Sequence, residues 1–183
     1  FGIPARFYFE AALRDHPAVR YLVGTVDAML SGWDWNAAQA ALRQAPHLVH
    51  SAAMDRFEFK LRERIPGRGL EGLRELAGQP SWLLDGPASI ETSLEDCREL
   101  VVAPREWAAR LRGLRSLYRP PRAGDGVPHE RARIWRGHAA ALDAFEEALD
   151  AAAEALGAAP VPLEDYWRAF RSVLRLAPLR VPD

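Results

Sequence analysis

Three groups of side chains have types and spacings that bear on chemistry. Glu58-Phe59-Lys60 has the form of the Asp/Glu-x-Lys half of a metal-dependent nuclease site. That chemistry needs the pair at a strand end, with a further acidic residue converging on the metal. Here the residues sit in a helical apolar pattern with Asp55 just upstream, and this context favours a solvated helix face. His47 and His50 are three residues apart with Asp55 nearby, but no third strong ligand has a defined spacing, so no metal site is expected. Lys60 is the one lysine, and no glycine-rich loop surrounds it, which excludes a Walker-type phosphate loop and leaves no candidate for a pyridoxal lysine. No catalytic, cofactor-binding or metal-ligating residue is assigned.

The third group is electrostatic. Between Arg105 and Arg136 stand nine arginines (105, 110, 112, 115, 119, 122, 131, 133 and 136) against Glu106, Asp125 and Glu130, with Trp107, Tyr118 and Trp135 interleaved. A guanidinium fork donates two parallel hydrogen bonds to phosphate, and aromatic faces can stack on bases. Arg110, Arg112, Arg115, Arg119 and Arg122 are therefore the candidate phosphate contacts, with Trp107 and Tyr118 as stacking candidates. The competing reading is intramolecular. Asp143, Glu146, Glu147, Asp150 and Glu154 crowd a later helix with no basic residue among them, and could pair with the arginines while the tryptophans fill the core. That acidic run lacks the Glu-x-x-His pairs of a dimetal bundle.

The elements that must position these groups are helical. Asp15 is expected to cap a helix with Pro17 in its first turn, carrying Val19, Leu22, Val23, Val26, Met29 and Leu30. Asp34 is expected to cap a shorter helix with Trp35, Ala38 and Leu42, and Ser51 to open a third with Met54, Phe57, Leu61 and Ile65. Leu70, Leu73 and Leu76 suggest a fourth. Residues 78–92, with Gln-Pro-Ser-Trp and Asp-Gly-Pro, read as a loop. A capping box at Thr92–Glu95 or Ser93–Asp96 then suggests a helix through Leu100.

Pro104 should begin a helix with Trp107, Leu111, Leu114 and Leu117 inward, and residues 119–128 a surface loop. The longest helix should run from about His129 to Leu156, burying Ile134, His138, Leu142, Phe145 and Leu149, with Gly157 as its stop. A last helix, Leu163 to Leu176, should bury Tyr166, Phe170, Val173 and Leu174. His138 is expected as a hydrogen-bonded interior or interhelical residue. No segment besides the two ends alternates like a strand. The fold class is all-α: a single irregular multi-helix domain of seven to nine helices, with short extended segments at both termini.

Composition agrees with one domain. In 183 residues, 49% are hydrophobic and 27% charged, with a formal charge of −1, which is globular composition with no global pull toward nucleic acid or membrane. The single cysteine, Cys97, excludes an intrachain disulfide and a multi-cysteine zinc site. No apolar run of spanning length and no signal pattern is present, so a cytoplasmic setting is expected.

The opening Phe1-Gly2-Ile3-Pro4-Ala5-Arg6-Phe7-Tyr8-Phe9, then Leu13, His16-Pro17-Ala18-Val19-Arg20-Tyr21-Leu22 and the Leu30-Ser31-Gly32-Trp33-Asp34-Trp35 break, resemble UvrD/Rep-type helicase-fold proteins. The likeness is greatest to the accessory insertion of AddB-type helicase–nuclease subunits. Met54-Asp55-Arg56-Phe57-Glu58 and Arg68-Gly69-Leu70-Glu71-Gly72 are similar to a later segment of that family, and the likeness covers roughly residues 1–75. It implies an inserted accessory subdomain of a larger DNA repair and recombination protein, residues 1–14 and 177–183 being the connecting ends and lying side by side. It also implies that ATP, Mg and the nuclease motif belong to the parent's other domains. Cys97 alone cannot supply the four-cysteine iron–sulfur site found in some members. The expected partners are DNA through the parent protein, the remaining motor domains and a second helicase–nuclease subunit, with no membrane. The alternative is a helical protein-interaction scaffold that does not bind nucleic acid.

Overall fold

The computed structural model describes residues 11–45, 48, 51–64, 69–78, 84–94, 97, 99–118 and 128–179, with backbone alone for 11, 91–93 and 128–135. The element order is β1 (Ala11–Ala12), a 3₁₀ turn (Leu13–Asp15), α1 (Pro17–Leu30), α2 (Trp35–Arg43), α3 (Ala52–Glu63), α4 (Leu70–Ala77), α5 (Asp85–Leu94), β2 (Val101–Val102) and α6 (Pro104–Leu111). A second 3₁₀ turn (Arg112–Leu117), α7 (Pro128–Leu156), β3 (Val161–Pro162), α8 (Leu163–Leu176) and β4 (Pro178–Leu179) complete it. The domain is mostly helical, as its periodicity predicts.

Helix boundaries follow local chemistry. At the start of α1 the cap is His16, whose Nδ1 accepts from Ala18 N at 3.3 Å, while Asp15, the expected cap, lies inside the preceding 3₁₀ turn. Asp34 caps α2 as expected, its Oδ1 accepting from Asn36 N and Ala37 N. Between the two helices Gly32 and Trp33 both take positive φ, 72° and 58°. Trp33 holds this costly conformation because its ring is buried and its amide donates to Ala28 O at 2.7 Å. Ser51 opens α3 without a side-chain cap bond.

Two expectations fail here. The segment read as a loop over residues 78–92 holds most of α5, from Asp85 onward. Asp85, Gly86 and Pro87 are turn-forming types, but they also suit a first helical turn, where amides lack intrahelical acceptors and a proline loses nothing. A Cβ on Gly86 would lie 2.6 Å from the Tyr21 hydroxyl, so this glycine serves close α1–α5 packing. Thr92 and Ser93, expected to cap a helix through Leu100, instead lie in the last turn of α5, while Glu95 and Asp96 lie outside the described residues.

The second surprise is an internal ladder. β2 pairs antiparallel with β3, Val101 opposite Pro162 and Val102 opposite Val161. Two residues per strand are too few to show alternation in sequence. The other ladder pairs β1 with β4, Ala11 opposite Leu179 and Ala12 opposite Pro178. Leu13 N then donates to Ala177 O at 3.1 Å. Ile3 and Val181 themselves lie outside the described residues.

One continuous apolar core runs through the eight α-helices of the described residues. The α1–α2 hairpin is close because Gly24 faces Ala41, where an added Cβ would sit 3.1 Å from the alanine Cβ. In the α7–α8 hairpin, Tyr166 donates to Leu149 O at 2.7 Å and Phe145 meets Phe170 edge-on at 5.2 Å. Trp167, absent from the expected buried set, stacks on Phe170 and donates its indole N–H to Asp27 Oδ1 at 2.8 Å. That bond ties α8 to α1. Among the described residues, no helix is long and apolar enough to cross a membrane.

Candidate nucleic-acid interface

The described parts of the arginine segment form α6, its 3₁₀ continuation and the first part of α7, and the acidic residues follow on α7. Pro104 begins α6, as expected, at a position that tolerates a missing N–H. Trp107, Leu111 and Leu114 turn inward, which leaves Arg110, Arg112 and Arg115 on the outer side.

Each of these arginines meets a carboxylate. Arg110 bonds Glu106 at 2.7 Å one turn back on α6 and reaches Cys97 Sγ at 3.5 Å. Arg112 bonds Asp150 at 2.5 Å. Arg115 bridges Asp143 at 2.7 Å and Glu146 at 3.0 Å. Asp143, Glu146 and Asp150 are spaced three and four apart, so they share one face of α7. The hydrogen bond to Glu106, then that to Cys97, raises the Arg110 pKa above its ordinary value. Those to Asp143 and Glu146 do the same for Arg115. These guanidinium side chains stay 38–43% exposed, so solvent screens the pairs; those of Arg112 and Arg115 across to α7 contribute about 0–1 kcal/mol each. Any external anion at these guanidinium groups has to compete with the carboxylates that already hold them.

The two aromatic candidates occupy different settings. Trp107 is 0% exposed; its indole N–H donates to Val161 O at 2.8 Å, and the Arg110 guanidinium lies 5.9 Å from its ring centre. Its role as a base-stacking face is therefore corrected: the ring is a core anchor that docks α6 on β3. Tyr118 is half-buried, and its hydroxyl shares a 2.5 Å hydrogen bond with His138 Nδ1. Burial pushes the Tyr118 phenol up to about 12. His138 is held below the ordinary histidine range by burial, and it meets His16 edge-on at 4.8 Å. His16 is pushed down to about 4, first by burial and then by His138. The interhelical role expected of His138 is what the geometry shows. Arg119 and Arg122 lie outside the described residues, as does any structural account of His47 and His50.

The nuclease-like triplet resolves differently from its expected solvated face. Glu58 is 3% exposed and is ion-paired with Arg43 of α2, leaving one carboxylate oxygen without a hydrogen bond. Lys60 reaches Ala77 O at the end of α4, and Phe59 is exposed. The triplet is divided among three environments on one helix, so its groups do not converge on a common point. Among the described residues, no group of three or more His, Cys, Asp or Glu side chains could hold a metal ion.

Sequence reasoning missed a second cationic region. A groove of about 430 Å³ between α1, α2 and α8 is lined by Arg14, Arg20, Arg171 and Arg175, against Asp15 and Asp27. Its arginines come from two stretches more than a hundred residues apart, so no local charge run announces it. Compared with protein-family models and with curated proteins, the chain matches none.

Proposed function

We propose that this chain is a non-catalytic helical accessory domain of an ATP-dependent helicase–nuclease of UvrD/Rep and AddB-like type. In this reading the parent acts on DNA double-strand breaks for repair and recombination, and this domain guides DNA or a partner subunit. ATP and Mg are handled by the parent's motor domains. Besides the sequence resemblance, one observation carries the reading: β1 and β4 pair antiparallel, so the chain enters and leaves the helical body side by side, as an insertion requires. Arg110, Arg112 and Arg115, with Arg119 and Arg122 beyond them in sequence, are the phosphate contacts, and the first three compete with acidic neighbours.

A second reading, an interaction scaffold without nucleic acid, is favoured by the engagement of Arg112 and Arg115 with α7. Fluorescence anisotropy with a labelled duplex end separates the two. DNA guidance requires binding at low salt that falls steeply as salt rises; no binding at low salt removes that role and leaves the scaffold. Parentage is tested by the residues encoded on either side, where a glycine-rich phosphate loop upstream and motor motifs downstream are expected.

A further inference from the structure

We propose that the groove between α1, α2 and α8 is a phosphate-binding site, with Arg20 and Arg175 as its ligating side chains. Charge balance within the groove leads to this assignment. Asp27 is fully engaged, one oxygen accepting from the Trp167 indole at 2.8 Å and the other from Arg171 at 2.6 Å. Asp15 lies 3.8 Å from Arg14. Arg20 and Arg175 both line the groove, and among the described residues neither meets a carboxylate; Arg175 makes a 3.3 Å bond to the Ser172 hydroxyl. Among the described residues, four arginines and two aspartates leave a net double positive charge on one concave surface.

The groove shape narrows the ligand. Its floor is small and apolar, with Val23, Ala37, Ala40 and Ala41, because the close Gly24–Ala41 contact draws α2 against α1. Two guanidinium groups of this kind suit a ligand with several anionic oxygens, since planar forks match phosphate geometry. Among the described residues no aromatic side chain lines the groove, so the recognition is of phosphate rather than of bases. A nucleic-acid backbone and a free polyphosphate share that chemistry. The site is separate from the α6–α7 arginines and stands or falls without them.

The test uses two probes, a fluorescein-labelled oligothymidylate followed by anisotropy and tripolyphosphate followed by amide chemical shifts. The proteins compared are the wild type, R20A/R175A, and R112A/R115A, each checked for folding by its amide spectrum. If the backbone is the ligand, R20A/R175A weakens oligonucleotide binding by roughly tenfold and flattens the log–log salt slope by about 1.4, roughly 0.7 per lost contact. If free polyphosphate is the ligand, tripolyphosphate shifts the groove amides of the wild type but not those of R20A/R175A, and the oligonucleotide does not bind. That result keeps the site while removing DNA guidance. Binding of the oligonucleotide by R20A/R175A at wild-type strength, with loss in R112A/R115A, overturns the site and leaves the α6 contacts standing. Failure of both probes to reach the groove also overturns it.

Discussion

The two arginine-bearing regions differ in what their charges already hold. On α6 and its 3₁₀ continuation, Arg110, Arg112 and Arg115 each have a carboxylate within 3.0 Å. In the α1–α2–α8 groove, Asp27 neutralises Arg171 while Arg20 and Arg175 meet no acid among the described residues. Arg110, Arg112 and Arg115, from the dense local run, are therefore the more saturated set, and the dispersed groove set is the less saturated one. Linear charge density is a poor guide to available charge, because folding decides which carboxylates arrive opposite.

The sharpest way to break this comparison is to ask what holds α6 in place. If the ion pairs only decorate a helix anchored by its core, Trp107→Ala should be far more damaging than removal of the arginines. A fully buried indole that also donates to Val161 O predicts a loss of about 4 kcal/mol, read by urea denaturation. A loss below that of R112A/R115A would make the ion pairs the anchor, and the two surfaces would then differ in kind rather than in degree.

The groove is tested next through its floor. Gly24→Ala places a Cβ 3.1 Å from Ala41 Cβ and 3.3 Å from Ala41 Cα, so α2 must move outward. Overpacking of this kind costs about 1–3 kcal/mol, against about 1 kcal/mol gained by removing a mid-helix glycine, so the expected net loss is about 0–2 kcal/mol. If Arg20 and Arg175 ligate phosphate across that floor, tripolyphosphate binding should weaken in the same variant, and unchanged binding would dissociate the site from the hairpin packing.

Much of this architecture is legible in sequence, for reasons that differ by element. Helix α8 runs from Leu163 to Leu176 as expected, because Leu163, Tyr166, Phe170 and Leu174 describe one stripe at helical period. Helix α5 was not legible, since Asp-Gly-Pro carries the same signal for a turn and for a first helical turn. The acid–arginine alternative on α6 and α7 could be stated from sequence, but which arginine meets which acid could not. The Asp27–Trp167 bond that fixes one wall of the groove joins residues 140 apart. No periodicity or motif encodes such a pairing.

His16 connects the two regions, capping α1 beside the groove and meeting His138 of α7. Its pKa falls from 6.5 to about 4 in the folded chain, so between those values the unfolded state binds more protons. Stability therefore rises with pH there: the contribution is present above about 6.5 and is lost as pH falls toward about 4. Tyr118 and His138 face the same cluster, and His138 is lowered in the same direction. Replacing His16 with Asn keeps a capping acceptor and removes one titration, so the urea midpoint of H16N should depend less on pH across that window. An unchanged pH dependence would assign the effect to His138 alone.

The smallest effect expected is the most direct test of saturation. Arg112 and Arg115 are 40–43% exposed and paired across to α7, so R112A/R115A should cost about 1 kcal/mol or less, and less again in high salt. Removing two cations also leaves Asp143, Glu146 and Asp150 unopposed on one helical face, where like charges one turn apart repel. Salt should therefore restore part of the variant's stability while slightly weakening the wild type. Convergence of the two denaturation midpoints with rising salt is the expected signature. Midpoints that stay apart would mean that the arginine stems contribute by packing, since long side chains cover apolar surface as well as carry charge. In that case the α6 surface could not release its arginines to phosphate without exposing core, and the α1–α2–α8 groove would become the stronger candidate for DNA contact.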